Sequence, residues 1–370
     1  MGAGFAGLEL ATTLSEELGE SADITLVDKS DSFMFGYSKL DVMFGRASTA
    51  SLRLPYRDFV KTGVRFRKEA VTTIDPSARR VTTDAGTYDA DVLVIALGAD
   101  YDVSTTPGVV LGENEFYSVE GAERMREVLP TFVKGRAVIG VCGAPYKCPP
   151  APSECALMLH DYLTERGVRS NSTITLTTPL SSPVPPSPET SRALIEAFAE
   201  RDIELITDRR IVSVDAARKI AVLDDGRELG CDLFLGVPKQ RAPDVVVATG
   251  LTENGWVTVD PRTLATRFPG VYAVGDLANT GAPKAGVFAE GAARAVAKNV
   301  IARLRGGDET AKNPGAGSCY IEFGDGRIAR VDVDFFSGPK PTGTFQAPSS
   351  ALRAEKRLFG ASRRARWFGS

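Results

Sequence analysis

GAGFAGLELATTLSEEL (residues 2–18), with DITLVD (residues 23–28) close behind, carries the fold of this chain. Three glycines spaced GxGxxG open directly into an amphipathic helical pattern. The strand-like run after it ends on an acid, Asp28, 21 residues beyond Gly7. This is a dinucleotide-binding fingerprint: Gly2 permits the tight turn, Gly4 lets the backbone approach a pyrophosphate, and Gly7 lets helix pack on strand. First-turn amides around Phe5 and Ala6 would hold phosphate, and Asp28, with Lys29 beside it, would face the ribose hydroxyls. Such a fingerprint follows a strand, yet only Met1 stands before Gly2. The expectation is a sheet short of its central member, either through a truncated start, with any targeting signal lost alongside, or through a replacement.

Composition narrows the function. A length of 370 residues suits two domains plus an appendage. Hydrophobic residues at 43% and charged residues at 25% fit an ordinary soluble globular protein. A net charge of -3 gives no general attraction for polyanions, so nucleic acid is not an expected partner. No apolar run reaches the ~18 residues of a membrane span. The single histidine, His160 in ALMLHDYL, excludes multi-histidine metal sites, and no metal is expected. Ser-His-Asp hydrolysis survives only if His160 is its base, and the helical pattern around it reads instead as surface or packing. Five cysteines are odd in number and too sparse for a disulfide framework. A reducing, cytoplasmic setting follows, where a cysteine pair is redox-active rather than structural.

Two further segments fit a flavin domain. YDADVLVIALGA (88–99) is an apolar strand with a tight exit at Ala96 to Gly98. FPGVYAVGD (268–276) is a second strand ending in Gly275 and Asp276, and a long helical stretch follows from about Lys284. An acid just past a strand can accept from the ribityl chain of FAD, and a helix start would aim positive amides at the flavin pyrimidine. The fold class is therefore α/β, with a discontinuous Rossmann-like dinucleotide-binding domain and a small C-terminal α+β region. The expected domains are 1–104 with 239–305 for FAD, an insert over 105–238, and 306–370 for the C-terminal region.

Fingerprint, ALGA turn and FPGVYAVGD together resemble the FAD-dependent pyridine nucleotide-disulfide oxidoreductase superfamily over nearly the whole chain. Members usually carry a second dinucleotide fold for NAD(P)H, so the resemblance implies two Rossmann-like dinucleotide-binding domains, the second over 105–238, and that insert decides the function. GRAVIGV (135–141) is its first strand, but CGAPYKCPPAPSE (142–154) puts Pro145, Pro149, Pro150 and Pro152 where a pyrophosphate would need amides. The next strand, STITLTT, ends without an acid for the ribose. The nicotinamide site is expected to be lost, which weighs against a type II NADH dehydrogenase-like enzyme.

The run KCPPAPSE (147–154) resembles a motif of the flavin subunit of flavocytochrome c sulfide dehydrogenase and the matching cysteine turn of sulfide:quinone oxidoreductases. Cys319 in GSCYIEFGDG fits the second cysteine of those families. The resemblance implies a Cys148–Cys319 disulfide that hydrosulfide opens, with two electrons passing through FAD to a quinone. It places the sulfide on Cys319 and Cys148 against the flavin, and makes Glu154 a proton carrier; helix capping is the other reading of Glu154. Lys147 either lowers a thiolate pKa or is a solvated lysine. Cys142, Cys155 and Cys231 read as inert. The cysteine through which the sulfide dehydrogenases attach FAD is missing from FMFGYSKLDV, so FAD should bind non-covalently. A third cysteine of quinone-reducing relatives is missing from EFYSVEGA.

The tail SSALRAEKRLFGASRRARWFGS (349–370) mixes Leu352, Leu358, Phe359, Trp367 and Phe368 with Arg353, Lys356, Arg357, Arg363, Arg364 and Arg366; Lys340 lies upstream. It reads either as a segment packed over the flavin domain or as a peripheral contact with the inner face of a membrane. Two competing functions stay open: a flavin subunit that reduces a separate cytochrome c, and a non-catalytic flavoprotein redox sensor or scaffold. A homodimer is a further open partner.

Overall fold

The computed structural model describes residues 1–369. Helix α1 (Phe5–Leu18) springs from the glycine turn, and strand β1 (Ile24–Asp28) returns beside it. Helix α2 (Ser38–Met43) follows, and then β2 (Val64–Lys68), which runs parallel to β1 with Ile24 opposite Val64. An antiparallel meander over 71–89 leads to β3 (Leu93–Ile95). In the second unit, β4 (Gly135–Val141) is followed by helix α3 (Ala151–Glu165), β5 (Ser172–Thr177), β6 (Ile203–Ile206) and, after another meander, β7 (Leu233–Val237). These four strands form one parallel sheet in the order β6-β5-β4-β7. Leu, Ile and Val fill it because a parallel sheet is covered on both faces.

The chain then returns to the first unit. Strand β8 (Val271–Ala273) pairs in parallel with β3, Leu93 opposite Val271, and helix α4 (Gly286–Leu304) packs against α1. Three antiparallel strands, β9 (Ala316–Glu322), β10 (Ile328–Asp334) and β11 (Thr342–Ser349), precede the final helix α5 (Leu352–Phe368).

The first sheet is split. The pairs β1–β2 and β3–β8 form separate two-stranded sheets. Met1 and Gly2 bridge them: the Met1 amine donates to Val94 O at 3.0 Å, Ala96 N donates to Met1 O at 2.8 Å, and Gly2 N donates to Val27 O at 2.7 Å. Smaller details differ from the sequence reading. Helix α4 begins at Gly286, two residues beyond Lys284, because Lys284 is held in a short bridge with Lys147. Cys231 lies buried between two strands rather than within one.

Candidate active site

One cleft, with a cavity of about 320 Å³, collects residues from every part of the chain. Its floor is the fingerprint. Gly2 has φ +90°, and a Cβ there would meet Ala96 O at 2.2 Å; a Cβ on Gly7 would meet Gly2 O at 1.8 Å. Gly4 is different: a Cβ on it would meet nothing within 4 Å, and the residue opens onto the cleft. The glycines thus divide into two that close the turn and one that leaves room for a ligand. No side chain caps α1 at Gly4, so its first-turn amides face the cleft for an anion. Asp28 stands at the end of β1, its carboxylate accepting from Ala3 N at 2.7 Å and Ser30 N at 2.8 Å.

A cluster of charges lines the same cleft. Burial raises the Asp276 carboxyl, and Lys147, Lys284 and Lys39 oppose that rise. Lys284 donates to Asp276 O at 2.6 Å and lies 3.6 Å above the Trp256 ring, and burial lowers it to about 8. Lys39, on α2, donates to Tyr117 O and is lowered to about 8, first by burial and then by Lys147. This donor set suits FAD: an open glycine with helix amides, an acid beyond a strand, and cations lining the same cleft.

The cysteine turn is pinned against that cluster. Cys148 N donates to Lys284 O at 2.8 Å, so the insert touches the start of α4 through its backbone. Cys148 has φ +51°, an uncommon conformation for a residue with a side chain, costing on the order of 1–3 kcal/mol. Proline at 149 and 150 and the start of α3 hold it there. Tyr117 Oη donates to Cys148 O at 3.4 Å. Cys319, on β9 opposite Val331, lines the same cleft. Both sulfurs are free thiols, as are Cys142, Cys155 and Cys231. Burial pushes the Cys148 thiol far up and the Cys319 thiol to about 12.

Glu154 ties the two cysteine segments together. It sits in the first turn of α3, but its Oε1 accepts from Glu322 N on β9 at 3.0 Å rather than capping the helix. Burial raises it to about 7, against the pull of Lys356 4.0 Å away.

Of the residues expected from sequence, Gly4, Phe5, Ala6, Ala96, Gly98, Cys148, Glu154, Gly275, Asp276, Lys284 and Cys319 line the cleft together. Gly2, Gly7 and Asp28 frame the turn beside it. Lys29 is exposed and outside the cleft. Lys147 is not the solvated lysine of the blander reading: its Nζ donates to Ala99 O at 3.0 Å and to Tyr101 Oη at 3.2 Å. Sequence reasoning missed Lys39, Tyr117 and Lys356, and missed the aromatic wall of Phe33, Tyr37 and Phe359.

Helix α5 forms part of that wall. Trp367 is fully buried against Phe5, Phe33 and Phe35, and its Nε1 donates to Glu9 on the fingerprint helix at 2.8 Å. Arg366 binds Glu9 at 2.9 Å and Glu16 at 3.0 Å, and Arg363 binds Glu290 at 2.7 Å. The tail is packed on the first unit, the first of the two readings of its sequence. Among the described residues, no helix is long and apolar enough to cross a membrane, and no cluster of His, Cys, Asp and Glu could hold a metal ion.

Two dinucleotide folds meeting at a cysteine-lined cleft define a flavin-type oxidoreductase. The pyridine nucleotide-disulphide oxidoreductase family matches residues 1–293, and the chain belongs to that family. It is an FAD-dependent enzyme of α/β fold. The mitochondrial sulfide:quinone oxidoreductase of Dictyostelium discoideum is 25% identical over 348 residues, 90% of this chain and 77% of that protein. The crystal structure of the sulfide:quinone oxidoreductase of Aquifex aeolicus superimposes with a TM-score of 0.87 at 23% identity, covering 100% of this chain and 91% of that one. A type II NADH:quinone oxidoreductase of Staphylococcus epidermidis is 35% identical, but over only 35% of this chain and 32% of its own length.

Proposed function

We propose that this chain oxidises sulfide and passes two electrons to a quinone through a Cys148–Cys319 disulfide and non-covalently bound FAD. The observation that carries the reading is the meeting of both cysteines in one cleft with Gly4, Asp276 and Lys284. Hydrosulfide attacks the Cys319 sulfur of the disulfide, the S–S bond breaks, and Cys148 leaves as a thiolate with the bonding pair. A persulfide remains on Cys319. Joining of the Cys148 thiolate to the persulfide sulfur would re-form a sulfur bridge and release two electrons, for which bound FAD would supply the acceptor on the way to the quinone. Lys356 and Lys39 favour the Cys148 anion against the cost of burial. Glu154, poised near neutrality, takes up the proton of the incoming sulfur. Two relatives similar over most of their length are named for sulfide and quinone.

The domain division proposed is 1–104 with 239–305 for FAD, 105–238 for the fold carrying Cys148, and 306–370 for the part carrying Cys319. A cytoplasmic, membrane-peripheral location is the matching proposal, supported by Arg353, Arg357 and Leu358 on the exposed side of α5. The test is anaerobic titration with sulfide, followed by reoxidation. Bleaching of the flavin and its recovery with a quinone analogue is the expected result. Recovery with cytochrome c alone would move the acceptor, and no bleaching at all would overturn the reading.

A further inference from the structure

Beside the cleft lies a second, open groove of about 660 Å³, lined by Asp41, Arg46, His160, Asp161, Glu165 and Glu322 among others. Among the described residues, only Tyr37 and Lys356 line both spaces. Lys356 therefore stands in the wall between the cleft of the cysteine pair and the groove. Its ammonium binds Glu322 at 2.6 Å on the groove side and lies 4.0 Å from Glu154 on the cleft side. The row of charges continues outward: Glu322 is 3.6 Å from Arg46, and Arg46 is 4.0 Å from Asp41.

Resting on the sulfide reading above, we infer that Lys356, held between Glu154 and Glu322, is a positioning residue that sets the proton affinity of Glu154. Glu154 as a carboxylate accepts a proton from sulfur and becomes the neutral acid. Lys356 keeps its own proton throughout. Burial works against its charge, but Glu154, Glu322 and Asp41 outweigh burial and hold it above the ordinary lysine value. The charged groups facing Glu154 are few: Lys356 from α5, Glu322 from β9 and Asp41 from α2, with the thiols of Cys148, Cys155 and Cys319 and the Tyr117 hydroxyl as further titratable neighbours. Of these only Lys356 is a cation. The final helix thus contributes to the chemistry of a cysteine pair that it does not carry.

The geometry gives two variants opposite signs. Lys356→Met removes the cation and leaves Glu322 and Asp41, so Glu154 should become harder to ionise. Glu322→Gln removes a neighbouring anion and frees Lys356 to turn towards Glu154, so Glu154 should become easier to ionise.

The test is the infrared band of the protonated Glu154 carboxyl in oxidised holoenzyme, assigned by its loss in Glu154→Gln and followed against pH. No sulfide is present, so the outcome is independent of whether sulfide is the substrate. The midpoint is expected near pH 7 in the parent. It should rise by about one unit in Lys356→Met, return in Lys356→Arg, and fall in Glu322→Gln. If Lys356→Met does not fold, Lys356→Gln and the Glu322→Gln shift carry the comparison. Equal midpoints in the parent and the lysine variants, or shifts of the same sign in the lysine and Glu322 variants, would overturn the inference.

Discussion

Glu154 Oε1 accepts the backbone N–H of Glu322 at 3.0 Å, joining residues 168 apart in the chain. Cys148 lies just before Glu154 and Cys319 just before Glu322, so this one buried hydrogen bond clamps together the two segments that carry the sulfurs. A carboxylate bonded to a buried amide is costly to remove, because the amide is left without its partner. Glu154→Gln keeps an acceptor for that amide while losing the charge.

The pH dependence follows from that residue. A carboxyl held at about 7 is the ionised base above pH 7 and the neutral acid below it. The rate of flavin reduction by sulfide, compared at equal hydrosulfide concentration, should therefore fall as pH drops through 7. In Glu154→Gln that acidic limb should vanish and the plateau rate should fall by roughly 10²-fold, with FAD content unchanged. Rapid-mixing kinetics across the pH range measure both.

NADH should bleach the flavin far more slowly than sulfide does. Pro145, Pro149 and Pro150 occupy the turn after β4, and the loop closes on Lys284 through Cys148 rather than leaving amides for a pyrophosphate. Strand β5 ends at Thr177, without an acid for a ribose. Stopped-flow traces with each reductant decide it; rapid, stoichiometric bleaching by NADH would restore a dehydrogenase.

FAD should be released by acid precipitation into the supernatant. The segment 33–42 approaches the cleft with Phe33, Met34, Gly36, Tyr37, Lys39 and Leu40, and none of these can form a thioether to the flavin. Yellow colour held in the pellet would contradict non-covalent binding.

Trp367→Ala should destabilise the protein by about 3–5 kcal/mol, the usual cost of deleting a buried aromatic. The side chain is fully buried, and its loss also strips a donor from Glu9, which is itself buried. Urea unfolding followed by tyrosine and tryptophan fluorescence gives the difference. A midpoint unchanged from the parent would mean that α5 does not hold the fingerprint helix.

Much of this was legible in the sequence because the signals were local. GAGFAG announces its own turn, since each glycine is required by a backbone contact only a few residues or one strand away. VYAVGD and KCPPAPSE are similarly self-contained. The residues that were missed act across long stretches of chain. Lys39 sits in a six-residue helix too short for a periodic pattern, and its partner is the carbonyl of Tyr117. Lys356 was hidden among other basic residues of the tail. Its helical spacing from Leu352, Phe359, Arg363 and Trp367 was the one available sign that it faces inward, since those residues all lie on the packed side of α5. Lys147 was ambiguous for the same reason: a lysine beside a cysteine looks alike whether it points to water or to Tyr101.

The most direct measurement is peptide mapping of the air-oxidised holoenzyme, joined to anaerobic sulfide titration of Cys148→Ser and Cys319→Ser. A Cys148–Cys319 link should be found in the parent. Each serine variant should keep its FAD and lose reduction by sulfide, because serine forms neither a disulfide nor a persulfide. Changes at Cys142, Cys155 or Cys231 should leave most of the activity. A Cys148–Cys155 link, or sulfide reduction persisting in Cys319→Ser, would contradict the account.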